Sequence, residues 1–417
     1  MSEAIAEVLT LGPRPDAEGT PIGELDLMRP DLFHDDYHVP VFKRLRDEAP
    51  VIAQEVEDLG RVWHVTRFED IMAVDTNHDD FSSEGSIVAT DQEEDFPLPM
   101  FIAMDPPKHD QQRREVSGVV APRNLASMEQ LIRGRCKDIL SSLPRGETFN
   151  WVDLVSIELT TQMLATLFDF PFEDRRKLTR WSDVATADEQ SGIVESEDAR
   201  RAELVECLTY FTELWNQRVN APPSNDLISM LAHGESTKNM DPMEYLGNLI
   251  LLIVGGNDTT RNSISGGVRF LNEHPAEFEK LKANPGLIPN MVPEIIRYQT
   301  PLAYMRRTTT KPVTIGGQSI PAGERILMWY ASGNLDERAI DNPEAFLIDR
   351  ARSRQHLSFG FGIHRCMGNR LAEMQLRILW EEILDQFAHI ELVGQPEYVN
   401  SNFVKGYSSL PVVVHAR

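Results

Sequence analysis

Cysteine is scarce in the 417-residue chain: only three are present, at positions 136, 207 and 366. No two of them form a CxxC pair, so the spacing excludes a zinc ribbon or a thioredoxin-type motif. An odd number of widely spaced cysteines also argues against a disulfide framework and favours a reducing compartment. We therefore expect a cytoplasmic protein.

Positive charge is also in short supply, since 41 Lys and Arg stand against 65 Asp and Glu, a net charge of −24. A chain this acidic repels phosphate backbones and anionic lipid surfaces, so a nucleic-acid partner is not expected. The longest apolar stretch, near residues 249–254, is far shorter than the roughly 20 residues that span a bilayer. The acidic N-terminus lacks the cationic start of a signal peptide, so we expect no transmembrane anchor and no leader.

The remaining pattern predicts a mainly helical protein with small β-sheets. Residues 1–40 are rich in proline and acidic groups and are interpreted as an irregular arm. Apolar runs at 51–56 and 61–66, separated by a turn, predict a hairpin. No Pro/Gly/Ser-rich linker divides the rest, so we expect one catalytic domain over residues 41–417. Within it, the acidic stretch 183–198 is typical of a surface loop.

Helical spacing dominates from about residue 105 to 300, and strand-like runs return at 312–330 before a further helix at 367–387. The sequence DPME begins the longest helix, with Asp241 as N-cap, Pro242 in the first position and Glu244 in the third. This helix is apolar nearly all round in its middle, so it should be buried. It should end before the His274-Pro275 pair.

The most informative stretch is SFGFGIHRCMGNR at 358–370. Cys366 follows a glycine-rich loop and precedes a helix, and helix N-terminal amides and nearby cations stabilise a thiolate. A buried structural cysteine is the commonest role for an isolated cysteine, but the glycines and cations point elsewhere. A phosphate loop is a weak rival because Arg365 occupies the third glycine position. A cysteine hydrolase is another, although nothing identifies its base.

Residues 359–368 resemble the haem-binding loop FxxGxxxCxG of the cytochromes P450. Three further motifs stand in the family's order: EIIR at 294–297 resembles the ExxR of the K helix, GGNDTT at 255–260 resembles the oxygen-activating segment of the I helix, and DPPKHDQQR at 105–113 resembles the DPPxHxxxR of the C helix. The resemblance covers the chain from about residue 30 onward. It implies the P450 fold, a single helix-rich domain around haem b.

The resemblance also implies roles for particular residues. Cys366 would be the axial thiolate that favours O–O cleavage, with O2 as co-substrate. Asp258 and Thr259 would be the acid–alcohol pair of oxygen activation, Asp258 relaying protons from solvent. Glu294 and Arg297 would form a buried network that supports the cysteine loop. The groups expected to bind the haem propionates are His109, Arg113, His364 and Arg307, with Arg306 open as the alternative to Arg307.

The substrate is expected to lie against apolar stretches, and we expect no cation deep inside to grip a carboxylate. The GGNDTT and MRRT segments look most like the bacterial alkane-hydroxylase branch, which implies terminal hydroxylation of medium-chain alkanes, fatty acids or similar hydrophobes. Terminal selectivity would need a narrow pocket, because a terminal C–H bond is the stronger one. The candidate pocket residues are Ile87, Val88, Leu98, Met100, Phe101, Leu251, Val254, Gly255, Leu302, Met305 and Phe403.

The positive charge that exists is concentrated. Residues 350–370 contain five arginines and no acid, and residues 105–145 are also basic, so together they could form a docking patch. Such a patch suits a small acidic electron carrier, a [2Fe–2S] ferredoxin with its NAD(P)H-dependent reductase. Three other functions stay open: hydroxylation of a terpene or steroid-like substrate, peroxide-driven haem-thiolate chemistry and haem-based sensing.

Overall fold

The computed structural model of the chain describes residues 12–187 and 192–417. Helices of all types make up about half of this part of the chain, in line with the predicted mainly helical fold. The α-helices in chain order are α1 His38–Glu48, α2 Phe68–Asp75, α3 Lys108–Ser117, α4 Pro122–Ser142, α5 Glu158–Phe168, α6 Arg176–Thr186, α7 Glu197–Val219, α8 Leu227–His233, α9 Pro242–Glu273, α10 Pro275–Ala283, α11 Ile288–Gln299, α12 Tyr330–Gly333 and α13 Asn369–Gln386. A π-helical segment, Val152–Ile157, leads directly into α5.

The sheets are small. Their strands are β1 Val51–Val56, β2 Gly60–Val65, β3 Phe81–Ser82, β4 Phe149–Asn150, β5 Met305–Thr309, β6 Val313–Ile315, β7 Gln318–Ile320, β8 Arg325–Met328, β9 Phe387–Leu392, β10 Glu397–Tyr398, β11 Tyr407–Ser409 and β12 Pro411–Ala416. The largest sheet has the order β1-β2-β8-β5-β3, and β4-β12-β9 forms a second one, while β6-β7 and β10-β11 are isolated pairs. The predicted hairpin is therefore confirmed as β1 and β2, which pair antiparallel.

Helix α9 crosses the domain and is its central element. The Asp241 carboxylate accepts a hydrogen bond from the Met243 amide (2.9 Å), and the helix ends at Glu273, directly before His274. Both ends are as predicted. The Glu244 carboxylate, in contrast to that of Asp241, binds residues of another helix, Gln112 and Lys108 of α3. Helices α5, α6, α11 and α13 pack against α9 and bury most of its length.

The described part of the N-terminal arm is packed rather than free. Leu25, Leu27 and Leu32 are buried in a second apolar cluster with residues of α1, β2 and β8. Helix α1 already begins at His38, and the domain boundary at residue 40 stays a prediction. Part of the acidic stretch 183–198 belongs to α6 and α7, and residues 188–191, like residues 1–11, lie outside the described residues.

No helix within residues 12–187 and 192–417 is long and apolar enough to cross a membrane.

Candidate active site

A large cavity of about 990 Å³ lies between α9 and the segment that carries Cys366. Its inner end is formed by Cys366, His364 and Arg307, and its outer end reaches the exposed β1–β2 turn at Glu57 and Asp58. The predicted pocket residues all line it, namely Ile87, Val88, Leu98, Met100, Phe101, Leu251, Val254, Gly255, Leu302, Met305 and Phe403. The apolar stretches are thus brought together from five separate parts of the chain.

The backbone of the cysteine loop is shaped by two glycines. Gly360 and Gly362 have φ values of +62° and +64°, in the left-handed region that favours glycine. A Cβ on Gly362 would also lie 2.4 Å from the Asp75 carbonyl oxygen, so no other residue fits there. The Cys366 amide donates to the Phe359 carbonyl (2.8 Å) and closes the loop. Helix α13 begins three residues later.

The Cys366 side chain is exposed to the cavity although it lies deep within the protein. Burial raises the pKa of its thiol, and the Gly368 amide, the Arg113 guanidinium and the Asn369 amide act in the opposite direction. The loop therefore supplies the donors and the charge that a thiolate needs once a metal binds it. Cys136 and Cys207 are buried in the helical core, away from the cavity lining, and burial raises the pKa of Cys136 to about 12.

The EIIR motif builds a buried ion network beneath the cysteine loop. The Arg297 Nη2 and Nε atoms donate to Glu294 at 2.8 Å each, and Arg350 Nε donates to Glu294 at 2.9 Å. Burial alone would raise the pKa of Glu294, but the two guanidiniums outweigh it and hold that pKa below its usual value. Arg297 further donates to the carbonyls of Asn334 and Pro343. The network ties α11 to the chain that leads to Cys366.

Of the two candidate arginines on β5, Arg307 is the one that faces the cavity. Its Nη2 donates to the Asp75 carboxylate (2.8 Å), which also accepts from the Tyr330 hydroxyl (2.9 Å) and the Phe361 amide (2.7 Å). Arg306 faces the other way and pairs with Asp91 at 2.6 Å. Burial raises the pKa of Asp75, and its three donors partly offset this.

The two predicted histidines lie beside each other at the inner end. The rings of His109 and His364 are 4.3 Å apart, and His109 Nε2 and both ring nitrogens of His364 are buried without a hydrogen-bond partner among the described residues. Arg113, one turn after His109, lines the cavity and donates to the Arg365 carbonyl (2.5 Å). Burial lowers the pKa of His364 to about 2, so the free side chain is neutral. Unpartnered donors and a guanidinium beside a thiol fit a haem and its propionates.

Asp258 and Thr259 are adjacent in α9 but face opposite sides. Thr259 lines the cavity, and its hydroxyl donates to the Gly255 carbonyl (3.0 Å), as a mid-helix threonine commonly does. The Asp258 carboxylate is buried against α6, where Oδ1 accepts from Ser182 (3.0 Å) and pairs with Arg261 (3.2 Å). Its pKa is raised by burial, with Arg261 acting against the shift. A Cβ on Gly255 would meet nothing within 4 Å, which leaves space beside Thr259.

Sequence reasoning missed several charged residues of the cavity lining, among them Asp75 near Cys366. Asp75 could have been found, because it stands four residues after the buried Ile71 on the apolar side of α2. The others are Arg200 with Glu93 and Glu197, and the acids Glu57, Asp58 and Asp91. We expected no cation deep inside to grip a carboxylate; Arg200 lines the cavity, and Glu93 and Glu197 both bind it.

The family model described as Cytochrome P450 matches residues 286–408. Linalool 8-monooxygenase of Pseudomonas putida is 34% identical over 93% of this chain and 98% of that protein. A methyl-branched lipid omega-hydroxylase of Mycobacterium tuberculosis is 30% identical over 99% of each chain.

Among solved structures, cytochrome P450-153 from Novosphingobium aromaticivorans is 45% identical, with a TM-score of 0.88 over 94% of this chain and 99% of that one. CYP153D17 from Sphingomonas sp. PAMC 26605 is 47% identical, with a TM-score of 0.88 over 93% and 98%. Agreement of this extent covers the fold and the motifs together. The family to which these proteins belong binds a haem whose iron has a cysteine thiolate ligand, and it uses O2. The chain therefore belongs to the cytochrome P450 family of monooxygenases.

Proposed function

We propose that the protein hydroxylates the terminal carbon of a medium-chain alkane, fatty acid or similar hydrophobic chain. The observation that carries the proposal is the apolar passage from the outer end of the cavity to Cys366, with Leu251 and Val254 on one wall and Leu302 and Phe403 on another. A chain held along such a passage presents its end, rather than its middle, to the reacting centre. The lipid omega-hydroxylase relative and the two P450-153-type structures support this substrate class.

The site residues act in support of the cofactor. The haem, when bound, supplies the reduction of O2 and the transfer of one oxygen atom to a C–H bond. Cys366 would hold its iron, while His109, Arg113, Arg307 and His364 would bind its propionates. Thr259 would donate a proton from Oγ1 at the cavity wall, and Asp258 would deliver protons to it from the α6 side. Glu294 and Arg297 would keep the loop in place without touching the reactants.

Product analysis by gas chromatography tests the substrate proposal. With an electron carrier and O2, octane and dodecanoate should give mainly the terminal alcohol and the omega-hydroxy acid. Leu302→Ala should widen the passage and move hydroxylation inward, since about 1.4 kcal/mol of barrier difference changes a product ratio tenfold. Predominantly subterminal products from the unmutated protein would contradict the terminal assignment.

A terpenoid substrate is the second candidate, because linalool 8-monooxygenase is among the relatives. Linalool in the same assay distinguishes the two: efficient, single-site oxidation of linalool with slow, mixed oxidation of octane would favour the terpenoid assignment.

The iron ligand has its own test. Cys366→Ser should abolish the strongly red-shifted Soret band of the reduced carbon monoxide complex. The matched control is Cys136→Ser, because that thiol is buried away from the cavity. Retention of the band in Cys366→Ser would overturn the assignment.

A [2Fe–2S] ferredoxin, with its NAD(P)H-dependent reductase, is the proposed electron donor in a cytoplasmic setting. The exposed arginines near Cys366 support this: Arg352 and Arg370 are exposed, and Arg354 is exposed although it pairs with Glu373 (2.8 Å). Arg350 does not belong to the exposed part of the predicted patch, because its side chain binds the buried Glu294. Changing Arg352, Arg354 and Arg370 to Glu should slow reduction by ferredoxin, and less so at high salt. A rate insensitive to both would place the carrier elsewhere.

A further inference from the structure

The charged side chains at the outer end of the cavity are mainly acidic. Five carboxylate residues reach this lining, and among the described residues there Arg200 is the one basic residue. The carboxylates are those of Glu57, Asp58, Asp91, Glu93 and Glu197. Asp91 is neutralised by Arg306 and Arg325, which stand behind it at 2.6 and 2.7 Å. Glu57 and Asp58 are exposed to solvent, which screens them, so the partly buried charge that a substrate meets is set by Arg200 with Glu93 and Glu197.

Arg200 is not free to bind an anion. Its Nη1 donates to Glu197 (2.8 Å) and to Glu93 (3.2 Å), and its Nη2 reaches the Ala185 carbonyl at 3.5 Å. The Nε atom is buried and has no partner within the described part of the chain. Two carboxylates thus share one guanidinium, which leaves one negative charge in excess at this point.

The neighbouring Arg201 does not change this balance. It pairs with Glu93 and with the exposed Asp95 (2.9 Å), and it lies within 3.6 Å of Glu197. Counting Arg200 and Arg201 against Glu93, Asp95 and Glu197, the cluster keeps an excess of one negative charge. A substrate carboxylate at this depth would add a second one in a partly desolvated position, where charge repulsion is stronger than in water.

We propose that Glu93 and Glu197 are specificity-determining residues that hold Arg200 away from substrate carboxylates, so that the substrate carries an uncharged outer end. This inference rests on the proposed function, in which the chain end faces Cys366 and any head group faces the outer cavity. Within the proposed substrate class, it predicts a preference for neutral hydrocarbons and alcohols over carboxylates. Removing one of the two acids should turn Arg200 into a carboxylate-binding group.

Spin-state titration of the haem-loaded protein tests this with two matched pairs, 1-dodecanol with dodecanoate and geraniol with geranate. The unmutated protein should bind each alcohol at least about tenfold more tightly than the matching acid. Glu197→Gln should tighten acid binding by roughly fivefold, the size of one partly exposed ion pair, and leave alcohol binding unchanged. Asp198→Asn is the matched control, because this exposed residue of the same helical turn lies outside the lining.

Acid binding equal to alcohol binding in the unmutated protein would overturn the inference. So would a Glu197→Gln variant with the original preference, equal gains in Glu197→Gln and Asp198→Asn, or no spin shift with either pair. Hydroxylation at subterminal carbons would contradict the terminal proposal alone. The terpenoid pair keeps the charge inference measurable in that case, because charge selection at the outer end does not depend on which carbon reacts.

Discussion

Carboxylate–guanidinium pairs lie just outside the cavity lining near both of its ends, and the surroundings of the two pairs are opposite. Near Cys366, Glu294 and Arg297 are both 0% exposed. At the outer end, Arg201 and Asp95 are 27% and 72% exposed. Both are carboxylate–guanidinium pairs of good geometry. The inner pair is enclosed by backbone carbonyls and a second arginine, whereas the outer pair joins a surface segment to the start of α7.

The difference shows that an ion pair's effect on stability follows from its surroundings. Losing one partner of a buried pair leaves a charge with neither water nor a counter-ion, which is strongly destabilising. An exposed pair that loses a partner is resolvated, so little is lost. The buried pair therefore fixes the position of the loop at the inner end, where the cofactor would bind. The outer end can rearrange at small cost, as a passage for substrate requires.

Glu294→Gln should produce the largest change, because it leaves Arg297 and Arg350 buried against a neutral amide. We expect the free energy of unfolding to fall by about 3–5 kcal/mol, measured by denaturant titration. Glu373→Gln, which removes the half-buried partner of the exposed Arg354, is the matched control and should be close to neutral. Equal losses in the two variants would refute the contrast between buried and exposed pairs.

Thr259→Ala tests whether the inner end also carries the chemistry. The variant should bind substrate normally but lose productive turnover by roughly 10²-fold, with NADH consumption diverted to peroxide. Coupling efficiency and spin-state titration measure the two effects separately. Thr260→Ala, at the adjacent cavity position, should retain coupling. Unchanged coupling in Thr259→Ala would remove this hydroxyl from the mechanism.

Acid should lower the free energy of unfolding through two buried histidines. Burial lowers the pKa of His64 and of His356 to about 3, below the ordinary value of about 6.5 that we assign to the unfolded chain. Because the folded pKa is depressed, the stabilisation is complete above pH 6.5 and is lost as pH falls towards 3. Each histidine should cost about 1.4 kcal/mol per pH unit within that window.

Unfolding titrations between pH 7 and 5 measure this slope. His64→Gln keeps an acceptor for the Trp329 indole, which donates to His64 at 2.9 Å. Its slope should be shallower by one proton, and an unchanged slope would contradict the burial argument.

Arg201→Gln should have the smallest effect. Its pairs with Glu93 and Asp95 join the segment around residue 93 to α7, and solvent replaces them readily. The unfolding midpoint should hardly move. Stopped-flow binding of 1-dodecanol should speed up with salt in the unmutated protein and depend less on salt in the variant, because screening weakens exposed pairs. Identical salt dependence would mean that these pairs do not restrict entry.

Several features could be predicted because they depend on residues close together in the chain. The limits of α9 follow from a capping aspartate and a terminal His-Pro. The cysteine loop follows from glycines that its backbone requires, and the pairing within EIIR follows from one helical turn. The apolar pocket stretches were identifiable from composition, and all of the chosen residues line one cavity.

The tertiary structure alone decided which distant charges meet. Arg306 and Arg307 are neighbours on β5, where successive side chains point to opposite faces. Only the packing of the sheet shows that Arg307 faces the cavity and Asp75, which is 232 positions away in the chain. From the sequence alone, Arg350 and Arg200 would both be interpreted as surface cations. The fold places Glu294 beside Arg350 and encloses Arg200 with Glu93 and Glu197. The partner of a charged side chain depends on how distant segments pack together, so it cannot be predicted from the neighbouring residues in the sequence.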